Sequence, residues 1–257
     1  MTPAVLLVAL ALFGLIIGSF LNVCIGRLPA GQSIVSPPSR CPRCGTAIAW
    51  YDNLPVLSYL LLGGTCRHCR ASISLRYPLV ELGTSLCFVL QGLAHGDDPP
   101  LLVSRLVLTA LLIALFGTDL ETMRLPNVLT LPGLVAGLAF SVWLPPGLVS
   151  SAVGAAIGAA VPYAIRWIWR RLRGIDAMGL GDVKMLAMIG AFLGWRQVWV
   201  VLFLASLAGA VVGVALTAAR GRSLQMKLPF GTFLALAALV ASLTGDAVLG
   251  WYLGLFE

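Results

Sequence analysis

Residues 3–26 read Pro-Ala-Val-Leu-Leu-Val-Ala-Leu-Ala-Leu-Phe-Gly-Leu-Ile-Ile-Gly-Ser-Phe-Leu-Asn-Val-Cys-Ile-Gly, and this stretch decides the class of fold. It carries no charge and is longer than the roughly 20 residues that cross a bilayer as a helix. It lacks the basic start and the small-residue cleavage site of a secretory signal. We therefore expect it to be retained as the first membrane span.

The rest of the chain has the same character, because 59% of its residues are hydrophobic, 11% are charged and the mean hydropathy is +0.96. This composition predicts an all-α polytopic membrane protein with about eight transmembrane helices. The segments at 79–94 and 183–194 are short, so either they extend into flanking polar residues or they cross a locally thin, hydrated region. The spans after the first are predicted at 79–94, 101–117, 126–144, 148–169, 183–194, 197–219 and 229–245.

The charges predict the orientation of these spans. If both termini are periplasmic, the loops at 27–78, 118–125, 170–182 and 220–228 are cytoplasmic, and only Arg105 and Arg196 of the 17 Lys and Arg lie outside. This asymmetry follows the positive-inside rule. The net charge of +7 is therefore explained by topology, and nucleic acid is not an expected partner because the basic residues are scattered without aromatic interleaving. Four acids are also expected outside: Asp97, Asp98, Asp246 and Glu257.

One loop, 27–78, is large enough to form a domain between the first two spans. It contains Cys41-Pro-Arg-Cys44 and Cys66-Arg-His-Cys69. Two Cys-x-x-Cys knuckles at this separation are typical of a four-thiolate zinc ribbon. A redox pair and unliganded thiols are the alternatives, and His68 could replace one cysteine. Four thiolates leave no position for water, so one zinc per chain is expected to be structural and to stabilise a loop too small for its own core.

Two acids lie at predicted cytoplasmic span ends. Asp119 follows the run 101–117 and begins Asp-Leu-Glu-Thr-Met-Arg-Leu-Pro-Asn127, and Asp182 lies in Gly179-Leu-Gly-Asp-Val-Lys184. A carboxylate beside hydrocarbon is costly, so such an acid is a candidate functional residue. Asp182 also suits a helix N-cap, and Gly179 and Gly181 allow close approach of an extended substrate.

Both acids can be interpreted as solvated cap residues at the membrane surface. Two on one face, one of them in a Gly-x-Gly turn, favour a dyad instead. Carboxylates within hydrogen-bond reach share one proton, which provides an acid and a base near neutrality. That is the chemistry of aspartic proteolysis.

The remaining polar residues near the membrane have simpler interpretations. Glu81 is predicted to be a structural hydrogen-bonding acid, and Glu121 to be solvated. Asn22 and Ser19 lie one turn apart and are expected to pack between helices. Lys184 either steadies the dyad or contacts lipid phosphate, and the sequence does not decide between these roles.

Several motifs together resemble the bacterial prepilin peptidases, over nearly the whole chain. Gly-x-Gly-Asp alone is shared with presenilin-like proteases, but its occurrence with the Cys loop is specific. Tyr59 and Thr232 depart from the family, where Trp and Pro are common. The matching motifs are Gly18-Ser-Phe-Leu-Asn-Val with Arg27-Leu-Pro, the two Cys-x-x-Cys knuckles, Tyr51-Asp-Asn-Leu-Pro-Val-Leu-Ser58, Ile73-Ser-Leu-Arg-Tyr-Pro-Leu-Val-Glu-Leu82, Asp119 to Asn127, Gly179-x-Gly-Asp-x-Lys184 and Pro229-Phe-Gly231.

The resemblance implies a bifunctional enzyme of the bacterial inner membrane that serves type IV pilus or type II secretion machinery. It would cut the leader of prepilins and pseudopilins after a glycine, and then methylate the new amino group with S-adenosylmethionine. Asp119 and Asp182 match the catalytic aspartates. The implied domains are the first helix (1–26), a methyltransferase-associated zinc loop (27–78) and a peptidase domain (79–257). No residue pattern for S-adenosylmethionine is recognisable.

Two other classes of protein remain open on the sequence. A proton-coupled transporter would carry acids at mid-span, whereas these acids lie at span ends. A non-catalytic assembly factor would tolerate Asp119→Asn and Asp182→Asn. The pilin that is cut, the retention of methylation, the oligomeric state and the way the dyad closes are not determined by the sequence.

Overall fold

A computed structural model describes residues 2–176, 178–220 and 228–254, and the regular secondary structure of these residues is helical. Within them there is no strand, only two isolated antiparallel bridges that join Arg40 to Ala47 and Thr65 to Ser72. The all-α prediction is confirmed. Nine α-helices are described: α1 (Pro3–Arg27), α2 (Leu57–Leu61), α3 (Arg76–His95), α4 (Pro99–Thr122), α5 (Asn127–Phe140), α6 (Leu148–Arg173), α7 (Leu180–Leu193), α8 (Trp195–Arg220) and α9 (Phe230–Leu253).

Among the described residues, five helices are long and apolar enough to cross a membrane, which indicates a multi-pass membrane protein. They are α1 with the 3₁₀ turn after it, α3, α4, α6 and α8 up to Ala219. The other three predicted spans correspond to α5, α7 and α9. The helix α5 and the Phe230–Gly245 part of α9 are shorter apolar helices, and α7 has 14 residues. The count of eight spans therefore stays a prediction. Glu257 and positions 221–227 of the predicted loop 220–228 lie outside the described residues.

The short segment at 79–94 extends into its polar flanks, because α3 runs from Arg76 to His95. The other short segment gains only three residues at its start, and α7 is about 21 Å long at 1.5 Å per residue. Its residues 185–193 are all buried. A helix that is apolar all round and buried all round is surrounded by protein, so its length need not match the bilayer.

The chain divides into two compact units, Met1–Ala114 and Leu115–Glu257. In the first unit, α1 and α3 pack antiparallel through small residues. A Cβ added to Gly14 would lie 2.6 Å from Ser85 Cα, and one added to Gly18 would lie 2.6 Å from Glu81 Cα. Only glycine permits backbones this close. Near the end of α1, the Asn22 amide donates to the Tyr77 carbonyl at 3.0 Å, so the predicted interhelical role of Asn22 is confirmed.

In the second unit, α7 is the central helix and packs on α5, α6, α8 and α9. It approaches α6 through facing glycines, since a Cβ on Gly154 would lie 2.5 Å from the Gly190 carbonyl oxygen and one on Gly158 would lie 2.5 Å from that of Leu186. On another side, Gly137 of α5 leaves room for the Phe192 ring. These contacts hold the middle and the end of α7, the helix whose first turn carries Asp182.

Candidate active site and metal centre

Asp119 lies in the last turn of α4 and is 4% exposed. Its Oδ2 accepts a hydrogen bond from the Thr232 backbone N–H at 2.9 Å, and the Gly231 N–H also points toward it. Both donors belong to the first turn of α9, where backbone N–H groups have no partner within the helix. The start of α9 therefore fixes the orientation of the Asp119 carboxylate.

Asp182 is half-buried at the third position of α7. Its Oδ2 accepts a hydrogen bond from the Gly179 backbone N–H at 3.1 Å. The sequence suggested Asp182 as an N-cap residue, but the N-cap is Gly179 and Asp182 reaches back to it from inside the first turn. Asp182 thus stabilises the Gly-x-Gly turn while its carboxylate stays at the helix start.

Leu125 connects the two acidic segments. A Cβ on Gly181 would lie 2.9 Å from Leu125 Cβ, and a Cβ on Gly231 would lie 3.0 Å from Leu125 Cδ1 and 2.9 Å from Asp119 Oδ2. The Leu125 side chain therefore contacts the starts of both α7 and α9. The Asp119 and Asp182 carboxylates are close enough to repel each other electrostatically. The fold brings the two predicted acids into one site within the second unit.

Two basic residues hold the elements around this site. The Lys184 ammonium donates to Asn127 Oδ1 at 2.8 Å and so ties the start of α7 to the start of α5. The sequence left open whether Lys184 steadies the dyad or contacts lipid phosphate, and its hydrogen bond in the structure is to Asn127. Arg166 of α6 donates to the Met178 carbonyl at 2.8 Å and pairs with Asp176 at 2.8 Å. It anchors the segment that leads into Gly179.

Sequence reasoning did not identify the roles of Asn127, Leu125, Arg166 and Thr232. Asn127 is the last residue of the motif that begins at Asp119, and its place in that motif could have indicated a role in the site. Thr232 stood out only as a departure from the family, where Pro is common, and its role as a backbone donor is not visible in the sequence. Arg166 carried no signal because it lies among other arginines of α6.

The four cysteines of the loop form one cluster in the first unit. The ligand atoms of Cys41, Cys44, Cys66 and Cys69 all lie within 4.8 Å of one another, and the Cys41 and Cys69 sulfurs are 3.8 Å apart. A tetrahedral ion at about 2.3 Å from each sulfur places the sulfurs about 3.8 Å apart. The cluster therefore fits a four-thiolate metal site. His68 is exposed and is not a member of the cluster.

Each knuckle is a tight turn of the same design. The N–H of Cys41 donates to the Thr46 carbonyl and the N–H of Cys66 to that of Ala71, at 2.9 and 2.8 Å. The residue after each second cysteine has positive φ, 71° at Gly45 and 56° at Arg70. Matched turns of this kind direct two sulfurs from each knuckle toward one point.

The thiols of the cluster have unequal acidities. Hydrogen bonds with the Thr46 side chain and backbone lower the pKa of Cys44 to about 6. Backbone hydrogen bonds from Cys69 and His68 lower the pKa of Cys66 as well. Thiolates are the form that binds metal, so the neighbours of Cys44 and Cys66 favour binding at these two positions. All six cysteines lie in the described part of the chain as free thiols, and Cys24 is buried in α1.

The fold and its two clusters define a class: a multi-pass helical membrane protein with two neighbouring carboxylates in its second unit and a four-cysteine cluster in its first. Two family models match the chain. The bacterial peptidase A24 N-terminal domain matches residues 12–94, and the type IV leader peptidase family matches residues 106–214. The chain belongs to the family of prepilin leader peptidase/N-methyltransferases.

Relatives that carry this name support the assignment. The protein of Aeromonas salmonicida strain A449 is 40% identical, with 94% of this chain and 92% of the relative covered. The protein of Myxococcus xanthus strain DK1622 is 45% identical over 84% of this chain and 64% of the relative. The protein of Pseudomonas aeruginosa is 37% identical over 98% of this chain and 94% of the relative. No solved structure matches the chain.

Proposed function

We propose that this protein removes the leader of type IV prepilins at an aspartate dyad and then methylates the new amino terminus. The observation that carries the proposal is the placement of the two acids. The Leu125 side chain contacts the starts of α7 and α9, and at these two helix starts Asp182 and Asp119 each have an oxygen held by backbone N–H groups. The reaction, leader cleavage followed by N-methylation, is inferred from membership of the family. The acids match the family motifs residue by residue.

In the proposed cleavage, one carboxylate of the pair is ionised and the other is protonated when substrate is bound. The ionised group takes a proton from water as its oxygen attacks the scissile carbonyl carbon, and the protonated group gives its proton to the carbonyl oxygen. Collapse of the tetrahedral intermediate breaks the C–N bond and returns a proton to the leaving amine. No covalent enzyme intermediate forms.

The site also suits a cut after glycine near a membrane surface. Gly179 is exposed and Gly181 is half-buried against Leu125, so a peptide could lie along this turn. A glycine before the scissile bond would avoid a side-chain clash there. Lys184, held by Asn127, is positioned to contact the same peptide.

The four-cysteine cluster is proposed to hold one structural zinc through Cys41, Cys44, Cys66 and Cys69. When bound, the ion would cross-link the two knuckles, which have few buried apolar side chains of their own. The loop 27–78 would then be the methyltransferase-associated domain between the first helix, 1–26, and the peptidase domain, 79–257.

The methyl donor for this family is S-adenosylmethionine, which supplies an electrophilic methyl group. The described residues contain no glycine-rich turn after a strand. We therefore assign the donor no residues and derive no step through it. The substrates are prepilins or pseudopilins of type IV pilus or type II secretion machinery, and both active sites face the cytoplasm from the bacterial inner membrane.

The experiment is a single assay on the purified full chain in lipid. A prepilin is incubated with the protein, with and without S-adenosylmethionine, and the product is read by intact mass. Loss of the leader in both reactions, with one further methyl group only when the donor is present, is the expected result. An unprocessed prepilin with folded protein would overturn the peptidase assignment, and a cleaved but unmethylated product would overturn the second activity.

A further inference from the structure

The loop of the first unit exposes large apolar side chains along one short segment. We call this set, Trp50, Leu57, Leu60 and Leu61, the apolar edge. Their exposed fractions are 79%, 50%, 69% and 76%. Leu57, Leu60 and Leu61 have the i, i+3, i+4 spacing of one helix face on α2. Exposed apolar residues grouped in this way indicate an interaction surface.

The apolar edge is fixed at the depth of the membrane-spanning helices. The Val56 N–H donates to Glu81 Oε2 at 2.7 Å, and Glu81 is 6% exposed within α3. Glu81 lies five residues after Arg76, which is about 7.5 Å along the helix axis. Because α3 is long and apolar enough to span a bilayer, Val56 and the residues beside it lie level with the first turns of a span.

This contact is specific rather than incidental. Val56 has φ of 62°, a left-handed conformation that β-branched residues rarely adopt. It persists where surrounding contacts impose it, and the hydrogen bond to Glu81 is one such contact. The prediction that Glu81 is a hydrogen-bonding acid is thus confirmed, and its partner is the loop backbone.

The segment is also joined to the metal cluster. Arg67, inside the second knuckle, makes a bidentate pair with Asp52, with N–O distances of 2.6 and 2.8 Å. Its guanidinium lies 5.7 Å from the centre of the Tyr51 ring. Ser58, which is 7% exposed, donates to the Tyr51 carbonyl at 2.9 Å and thereby closes the segment. The segment that carries the apolar edge is therefore joined to the second knuckle by side-chain contacts.

We propose that the apolar edge is inserted into the lipid interface beside α1 and α3, so that the four-cysteine module rests on the bilayer. The aromatic and the basic residues of this loop both suit a lipid surface. Trp50 and Tyr51 are the residue types of the aromatic belt at the headgroup level. The second knuckle, which is joined to the apolar edge, carries the exposed Arg70, which complements anionic headgroups.

Lipid is a better occupant than an apolar protein segment for a geometric reason. The surface of α3 that follows the loop exposes Leu79, Leu82 and Leu86 at 64%, 50% and 60%, which is the expected lipid-facing stripe of a span. The apolar edge is held at the end of that same helix pair. A surface at interfacial depth meets lipid whether or not substrate is present.

The test uses the full-length protein with a benzophenone amino acid at position 60, reconstituted in vesicles of anionic and zwitterionic lipid whose acyl chains carry an alkyne. Position 86 is the lipid-facing reference, and position 43, an exposed arginine of the first knuckle, is the aqueous reference. After irradiation, lipid attached to the protein is quantified by click labelling. Metal content checks that each variant keeps its loop folded.

Position 60 is expected to label to an extent comparable with position 86 and several-fold above position 43, in the absence of any prepilin. Labelling at position 60 equal to that at position 43, in loaded and folded protein, would overturn the proposal. So would cross-linking to added prepilin with no lipid adduct, which would identify the apolar edge as a substrate surface. A Leu86 signal in the same vesicles shows that the probe reaches the acyl chains.

Discussion

Replacing Gly231 by alanine is expected to slow leader cleavage while the protein stays folded. The new Cβ would lie 2.9 Å from Asp119 Oδ2 and 3.0 Å from Leu125 Cδ1, closer than ordinary van der Waals contact. Asp119 is 4% exposed, so its carboxylate has little free space. It must turn away from the Thr232 N–H, which is 2.9 Å away in the native protein.

The size of the effect follows from the contact that is lost. A hydrogen bond to a charged group contributes about 1.5–3 kcal/mol. At about 1.4 kcal/mol for each factor of ten, the rate of cleavage should fall about 10- to 100-fold if the bond supports the transition state in full. The adjacent Leu125 adds to the loss because its displacement also shifts Gly181.

The assay is the initial rate of leader removal from a prepilin, measured by intact mass at saturating substrate. Gly209→Ala is the matched control, because its Cβ would meet the Phe233 ring at 3.7 Å, an ordinary contact. Both variants should give monodisperse protein with similar melting temperatures. A native rate of cleavage in folded Gly231→Ala would refute the idea that the start of α9 positions Asp119.

Other predictions address the packing, the turn and the loop. Gly154→Leu should destabilise the protein by about 1–3 kcal/mol or more, seen as a lower melting temperature, because its Cβ would lie 2.5 Å from a backbone oxygen of α7. Arg166→Gln should lower kcat for cleavage while the melting temperature changes little, because the segment before Gly179 loses its hydrogen bond to Arg166. Lys184→Met should also reduce cleavage, because it removes the hydrogen bond to Asn127 that ties the start of α7 to the start of α5. Replacing Cys41 and Cys44 by Ser should remove the metal and reduce methylation much further than cleavage, measured on one sample.

Each of these has an outcome that would count against it. Gly83→Ala, which meets nothing within 4 Å, should leave the melting temperature unchanged. An equal loss in Arg166→Gln and in Arg171→Gln would show that charge, and not the anchored turn, matters. Equal loss of cleavage and methylation in the cysteine variant, with the membrane helices intact, would place the loop in the peptidase site.

Much of the fold could be predicted from the sequence, because a helix that crosses the hydrocarbon core of a bilayer needs a long run of apolar residues. The eight predicted apolar segments each correspond to a helix, and α1 was predicted within one residue at its end. The starts of α3 and α7 were each predicted three residues late, because their first turns contain the charged residues Arg76 and Asp182, which a hydropathy criterion excludes. The ends of α4 and α9 were predicted five and eight residues early, since both helices continue past their apolar runs through an aspartate. Helix α2 was not predicted, since five residues within a loop give no periodicity.

Part of the candidate site could also be predicted from the sequence. Asp119 and Asp182 stood out because charge near hydrocarbon is costly, and the four cysteines because metal ligands have fixed spacing. The contacts that orient these groups come from tertiary structure. The Thr232 N–H, the Leu125 side chain and the Glu81 bond to Val56 connect residues far apart in sequence, and no local pattern encodes them.

The most direct test of the account is cleavage by Asp119→Asn and Asp182→Asn, each compared with Glu121→Gln. Glu121 is an exposed acid two residues from Asp119 on the same helix, so its replacement controls for the loss of one negative charge. We predict no leader removal by either aspartate variant and a native rate for Glu121→Gln, with all three folded in the membrane. Substantial cleavage by either folded aspartate variant would contradict the dyad.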